Sequence, residues 1–552
     1  MKSLVQALLL AAACSFFSSE AAMRYVDPSN PAAQDAGAGD AAHPYRTLTH
    51  AMKQLKPGDV LTIAGGTYRE SLIFPEINWW AVATTVIQPV PGANVLIKGS
   101  DVVTGWTAQG GGLFVRHNWT VNSQQVFVDG IALKQIGGTV FGGYPGTPGH
   151  YLAGELATQG GIWPGRVSGG VAQMTTNSFY YDAVADSLYI KVPYTSLTGH
   201  TVEVSVRPFL VFGRGVERVT LKKLNFMHAN TTAQNQNGAI TLIDSNRNVI
   251  DGLDVRYVDG AGMDISGDEN TIKNNAAKYC GQLGMKVRGR ANTLTYNTTN
   301  YNNTRGFNTF WEAGGAKFVG NGGLRDSIVA RHYAVGNNGD GIWFDWMNDN
   351  NRIYDSTAAY NMGFGIHYEA SQRGYIYDNY AYGNKLRGIY LPHSSDSIVA
   401  FNMVAKNGFE GIAIIDEGRS PTNPLLRPRD NLVHGNIIAW NGKAALVLPK
   451  VSANNTANYN LDLGVSPPTF SLGWTPLFTG LDAWTAASGQ DAHSWFQVFD
   501  VPPALRDGFA KKSQTLDWSA VRSVASPHAV PSLSGILPQS VAHRTVPGPE
   551  WW

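Results

Sequence analysis

A five-residue phrase returns along this chain at Gly262 (GMDIS), Gly284 (GMKVR), Gly341 (GIWFD), Gly365 (GIHYE), Gly388 (GIYLP) and Gly411 (GIAII). Successive starts lie 22, 57, 24, 23 and 23 residues apart, and the long gap accommodates one irregular copy at Gly315 (GAKFV). A fixed period of this size means stacked units, each unable to bury its apolar face without neighbours. The first and third residues after each glycine are apolar: Met263 and Ile265, Met285 and Val287, Ile342 and Phe344, Ile366 and Tyr368, Ile389 and Leu391, Ile412 and Ile414. Alternation with period two marks a strand with one buried face. Asparagines recur between the phrases, at Asn379 and Asn384, Asn402 and Asn407, Asn436 and Asn441, where small polar side chains suit corners. A leucine-rich repeat would show its own leucine spacing and helical segments, and neither is present. The pattern predicts an all-β chain, a right-handed parallel β-helix.

The rest of the chain divides around that solenoid. Residues 1–22 read as an export signal: Lys2 precedes an apolar run from Leu4 to Phe17, too short to span a membrane, and small residues Ser19 and Ala21 suit cleavage. Cys14 after three alanines is a poor lipoprotein site, so a secreted or periplasmic bacterial protein is expected rather than a lipid-anchored one. Cys280 then stands alone, as a small core residue. Residues 23–104 are expected to hold an N-terminal cap and the first rungs, with a short amphipathic helix from Thr47 to Leu55 covering the open end of the core. The rhythm lapses over 105–207, where short strands such as Val126–Val128 and Ser187–Val192 predict an inserted small β-sandwich. The main β-helix with its cleft is expected over 208–475, and a tail packed against it over 476–552. Charged residues are only 15% with a net charge of +1, which gives no footprint for nucleic acid or an anionic membrane.

On the outward face, position two of each phrase carries Asp264, Lys286, Lys317, Trp343, His367 and Tyr390, and position four carries Ser266, Arg288, Asp345, Glu369 and Pro392. Adjacent rungs stand about 4.8 Å apart. Asp345 and Glu369 are therefore expected side by side, with carboxyl groups roughly 5 Å apart. A separation of about 5–5.5 Å belongs to retaining glycosidases, whereas inverting ones need about 6.5–9.5 Å. Stacked like charges repel and destabilise a sheet, so a pair kept without a purpose is not expected. Trp343, Trp346, His367, Tyr368 and Tyr390 supply aromatic surface of the kind sugars stack on. Two long interruptions, Arg305–Leu324 and Glu417–Asp430, flank the pair and are expected to wall a cleft.

The run Gly341–Met347, followed one rung later by Gly365–Glu369, resembles the parallel β-helix β-xylosidase family of glycoside hydrolases, whose solenoid is pectate-lyase-like. The segment near 105–207 is similar to that family's inserted β-sandwich. The resemblance implies Asp345 as nucleophile and Glu369 as general acid/base of a retaining hydrolase that requires no cofactor. It further implies Glu312, in the segment Trp311–Gly315, as a third carboxylate that binds the sugar. Related β-helix hydrolases of other specificity share this layout, so the resemblance supports glycosidase chemistry more firmly than xylose.

Lys286, Arg288, Lys317, Trp343, His367 and Tyr390 complete the candidate carbohydrate-binding set. His367 either tunes Glu369 or binds a hydroxyl, and the three basic residues either balance the carboxylates or meet an acidic sugar. The second option defines an alternative, a polysaccharide lyase or uronate C5-epimerase, which would use Ca2+ held by acidic side chains. A non-catalytic glycan-binding β-helix is a further alternative. Sugar, linkage, exo or endo action and oligomeric state have no signature in the chain.

Overall fold

Three parallel sheets wrap one elongated core, each turn of the chain contributing one strand to each sheet. The computed structural model describes residues 21–77, 79, 83–136, 170–231, 237–320, 322–419, 422–451, 453–537 and 543–549. All but the last two residues of the expected export signal, with Cys14, lie outside them. The sheet that bears the phrases runs in order through Val211–Arg214, Gly238–Ile243, Ala261–Ser266, Leu283–Arg290, Gly314–Phe318, Asp340–Asp345, Ile366–Glu369, Ile389–Pro392, Ile412–Ile415, Leu446–Leu448 and Thr469–Leu472. Every pairing in that run is parallel and in register, so the fold is the predicted parallel β-helix. The copy at Gly315 is not irregular in space. Ala316 pairs with Met285 on one side and Ile342 on the other, which makes Gly314–Phe318 a full rung.

Inward residues of the phrases, from Met263 to Ile414, form one buried core with Cys280 among them. Each such aliphatic side chain contributes about 1.5–3 kcal/mol by leaving water. At one corner Asn302, Asn337, Asn361, Asn384 and Asn407, all buried, and half-buried Asn441 stack into a ladder, each side-chain amide donating to the next side-chain oxygen at 2.9–3.1 Å. The same amide also donates to a backbone carbonyl of the preceding turn, as Asn384 does to Ala358 at 2.9 Å. This ladder explains the glycine that opens each phrase from Gly284 onwards; at Gly262 the neighbour is Cys280 instead. A Cβ on Gly341, Gly365 or Gly388 would lie 2.7 Å from the amide nitrogen of Asn361, Asn384 or Asn407. The glycine and the asparagine are one device: the first makes the space that the second fills.

The helix Leu48–Gln54 closes the N-terminal end, capped by the Thr47 hydroxyl and burying Leu48, Ala51 and Met52 against the core. Between the strands Val95–Lys98 and Val211–Arg214, two sheets pack face to face. One contains Ser100–Val102, Val202–Ser205, Val126–Val128 and Ile131–Ala132; the other contains Thr107–Gly110, Leu113–His117, Ser187–Lys191, Ser178–Asp182 and Lys134–Gln135. Phe114, Val126, Phe179, Leu188, Ile190 and Val204 fill the space between them, giving the inserted β-sandwich. Glu203 of the sandwich ties it to the solenoid through Lys98 at 2.7 Å and Arg69 at 2.6 Å.

The C-terminal segment adds more regular structure than its sequence announces. Trp495–Val498 extends a sheet of the β-helix by pairing with Leu461–Gly464. Trp484, on the helix Leu481–Ser488, stacks on Phe470 at 5.4 Å and plugs the end of the core. The helices Pro503–Ala510 and Ser519–Ala525 pack Leu505, Val521 and Ala525 on Tyr380, Tyr382 and Met403. Among the described residues no helix is long and apolar enough to cross a membrane.

Candidate active site

The second residues of the phrases form one continuous column: Asp264, Lys286, Lys317, Trp343, His367 and Tyr390 are each in register with the next. Although these side chains point away from the core, all six are buried. Two loops cover them. One follows Arg305 and brings in Phe310, Trp311 and Glu312; the other brings Glu417 and Arg419. Arg305 anchors the first loop, donating to the Gln124 carbonyl of the sandwich at 2.7 Å and pairing with buried Asp259. The outward face is thus the floor of a cleft and not solvated surface.

Asp345 and Glu369 are direct register partners on adjacent rungs, as expected. They do not stand as a bare carboxylate couple. Lys317 Nζ lies 3.0 Å from Asp345 Oδ2, and Arg419 Nη1 lies 2.7 Å from Glu369 Oε1. Each negative charge has its own cation, which offsets the repulsion that stacking would otherwise impose. Lys317 also donates to the Trp311 carbonyl and sits 3.3 Å from the centre of the Trp343 ring. The indole Nε1–H of Trp343 donates to Glu369 Oε2 at 3.2 Å. Trp343 therefore contacts the cation of one carboxylate and an oxygen of the other.

The cleft has two lobes. A cavity of about 380 Å3 is lined by Asp264, Lys286, Arg288, Glu312, Lys317 and Asp345. In it, Lys286 pairs with Glu312 at 2.8 Å and Arg288 with Asp264 at 2.7 Å, so the basic flank is matched by carboxylates one for one. Burial pushes the Asp264 carboxyl upward while Lys286 and Arg288 oppose it. The other Glu312 oxygen is buried without a hydrogen-bond partner, on a residue that faces this lobe. A second cavity of about 510 Å3 is lined by Trp343, Phe364, His367, Glu369, Tyr390 and Arg419, with other residues. Phe310, 65% exposed, borders both. Asp345 thus faces the charged lobe and Glu369 the aromatic one.

Glu312, Lys286, Arg288, Lys317, Trp343, Asp345, His367, Glu369 and Tyr390 all lie in this cleft, whereas Tyr368, expected as aromatic surface, is an inward residue buried in the core, and Trp346 lines neither lobe. Tyr390 is fixed by a hydrogen bond from its hydroxyl to Glu417, and its ring lies 5.1 Å from that of His367. His367 Nδ1 is 2.8 Å from Asp340 Oδ2 and its Nε2 is 3.6 Å from Glu369 Oε2. Asp340 escaped the sequence reading, and Phe310, Glu417 and Arg419 entered it only as parts of the loop walls. Asp340 sits one place before a phrase, outside the alternation, and the other three ride on loops that have no period. Among the described residues no group of three or more His, Cys, Asp or Glu side chains is arranged to hold a metal ion.

The family model described as "Right handed beta helix region" matches residues 211–323 and 331–462, and that described as "Protein of unknown function (DUF1565)" matches 32–75. No curated protein matches the chain. Among solved structures, the complex structure of XylC with xylose is 15% identical, with a TM-score of 0.51 over 81% of this chain and 75% of that one. A glycoside hydrolase is 12% identical, with a TM-score of 0.45 over 88% of this chain and 98% of that one. A rhamnogalacturonan lyase is 12% identical, with a TM-score of 0.37 over 79% and 84%. The first family match and the XylC likeness agree with the strand register: the chain folds as a right-handed parallel β-helix.

Proposed function

We propose that this protein is an exported glycoside hydrolase that cleaves a glycosidic bond with retention, using Asp345 as nucleophile and Glu369 as general acid/base. The observation that carries the reading is the register pairing of these two carboxylates on adjacent rungs, each held by its own cation and each facing a different lobe. Rungs about 4.8 Å apart suit the short separation of a retaining pair. Asp345, oriented by Lys317, attacks the anomeric carbon as protonated Glu369 gives its proton to the leaving oxygen. Water then attacks the glycosyl-enzyme with Glu369 as base, and the sugar leaves with its configuration kept. On this reading the glycosyl unit occupies the charged lobe and the leaving group the aromatic lobe. XylC binds xylose, so a pentoside is the first substrate to try.

A uronate lyase or epimerase would need positive charge free to meet a substrate carboxylate. Lys286, Arg288 and Lys317 are each committed to a carboxylate of the protein, which favours hydrolysis of an uncharged sugar. The test is a panel of aryl β-glycosides and polysaccharides, followed by reducing ends and ultraviolet absorbance together, on wild type, Asp345→Ala and Glu369→Gln. Reducing ends without absorbance, lost in both variants, are expected. Absorbance gained in a manner dependent on Lys286 or Arg288 makes it a lyase, and glycan binding that outlives both carboxylates makes it a scaffold.

A further inference from the structure

His367 is buried in the cleft beside Glu369. Its ring is clamped on three sides, by Trp343 at 5.0 Å and 9°, by Tyr390 at 5.1 Å and 29°, and edge-on by Phe364 at 4.8 Å and 70°. Asp340 fixes its fourth contact, since Nδ1 lies 2.8 Å from Asp340 Oδ2 while Asp340 Oδ1 accepts the Phe364 N–H at 2.8 Å. A carboxylate only accepts, so this bond places a proton on Nδ1. The remaining nitrogen, Nε2, is buried with no hydrogen-bond partner and faces Glu369 Oε2. A buried polar atom left unpaired costs about 1–3 kcal/mol, and such sites are retained where they are used. Glu369 meanwhile receives an N–H on each oxygen, from Arg419 and from Trp343, an arrangement suited to a carboxylate that has already given up its proton.

Resting on the assignment of Glu369 as acid/base, we propose that Asp340 and His367 form a buried positioning pair that holds the working proton of Glu369 and takes it back. At the start of a turnover Nε2–H passes its proton to Oε2, leaving a neutral imidazole that keeps Nδ1–H and a neutral carboxyl. That carboxyl protonates the glycosidic oxygen as the bond from Asp345 to the anomeric carbon forms and the bond to the leaving group breaks. In the second step Glu369 takes a proton from the attacking water and returns it to Nε2. The charged groups around the ring fit this shuttle. Asp340 and Glu369 flank it, with Glu417 behind Tyr390, Arg419 behind Glu369, Lys317 across Trp343, and Arg387 across Tyr390 and Phe364.

Leaving-group dependence separates this role from packing, because a dinitrophenyl group departs without protonation and a poor leaving group does not. His367→Asn is expected to lower kcat/KM on a methylumbelliferyl or alkyl glycoside by about a hundredfold, the scale of lost acid–base assistance, and on the dinitrophenyl glycoside by less than about threefold. Asp340→Asn, whose amide would donate to Nδ1 and move the ring proton to Nε2, is expected to show the same pattern at roughly tenfold. Glu369→Gln is the reference. If it loses activity uniformly across leaving groups, the acid/base assignment fails. If it shows the dependence while His367→Asn and Asp340→Asn lose activity uniformly, only the shuttle fails. Imidazole nitrogen NMR of the whole protein gives a test free of any substrate. Wild-type His367 should carry protons on both Nδ1 and Nε2 at rest, and its Nε2 resonance should move in Glu369→Gln; an unmoved resonance, or a ring protonated on Nδ1 alone, overturns the proposal.

Discussion

Arg419 Nη1 lies 2.7 Å from Glu369 Oε1, joining a loop residue to a rung of the solenoid across the aromatic lobe. The guanidinium is 44% exposed while the carboxylate is nearly buried, so the pair bridges cleft wall and cleft floor. An exposed cation of this kind contributes little to stability, typically below about 1 kcal/mol. What it can do is hold one carboxylate oxygen in place. Arg419→Ala is therefore expected to leave the melting temperature unchanged while lowering kcat/KM roughly tenfold, with Arg419→Lys in between because it loses the planar fork. Steady-state kinetics beside a thermal melt decide it. Higher activity in Arg419→Ala would show that the arginine masks Glu369 instead of orienting it.

Lys317 bears on the other carboxylate. Its ammonium is buried and shared among Asp345, the Trp311 carbonyl and the Trp343 ring, so it fixes the place of Asp345 and of the first loop together. Lys317→Met keeps the bulk and removes the charge. Misplacing a nucleophile by about 1 Å costs on the order of a hundredfold, and this loss should fall on kcat more than on KM. A change confined to KM would assign Lys317 to substrate binding alone.

How much of this was readable beforehand depends on the residue. Ile342, Phe344, Ile366 and Tyr368 announced themselves by alternation, and the same alternation set Asp345 against Glu369, because parallel strands in register carry equal positions side by side. The burial of Lys286, Lys317 and His367 was not readable, since it comes from loops whose sequences carry no period. Arg419 was seen only as part of a wall, and Asp340 lies just ahead of the phrase that would have drawn attention to it. The strand Trp495–Val498 lacks a glycine opening and an asparagine partner, so nothing in its sequence marks it as a rung, yet the open edge at Leu461–Gly464 recruits it.

The asparagine ladder makes its own prediction. Asn384 Oδ1 accepts both the backbone and the side-chain N–H of Asn361, at 3.1 and 2.9 Å, in the interior of the solenoid. Asn384→Ala strands both donors at about 1–3 kcal/mol each, so destabilisation of about 2–5 kcal/mol is expected, read as a lower urea midpoint. Gly365→Ala should cost a similar amount by pushing a methyl group into the same amide. Near-wild-type stability in either variant would mean that the ladder is incidental to the fold.

Asp462 supplies the pH dependence. Its carboxyl is fully buried at the C-terminal end of the solenoid, one oxygen has no partner, and no cation is among the groups acting on it. Burial, with Asp491 adding to it, holds the folded-state pKa well above the ordinary range. A carboxyl raised in this way stays neutral in the folded protein while the unfolded chain ionises above about pH 3.9. Its share of stability is therefore intact in acid and is lost as pH rises from that point towards the folded-state value. Asp462→Asn removes the titration and keeps the shape. The variant should match wild type near pH 3.5 and exceed it increasingly towards neutrality, with a higher urea midpoint at pH 7. A stability difference that stays flat with pH would show that Asp462 is ionised in the folded protein and paired after all.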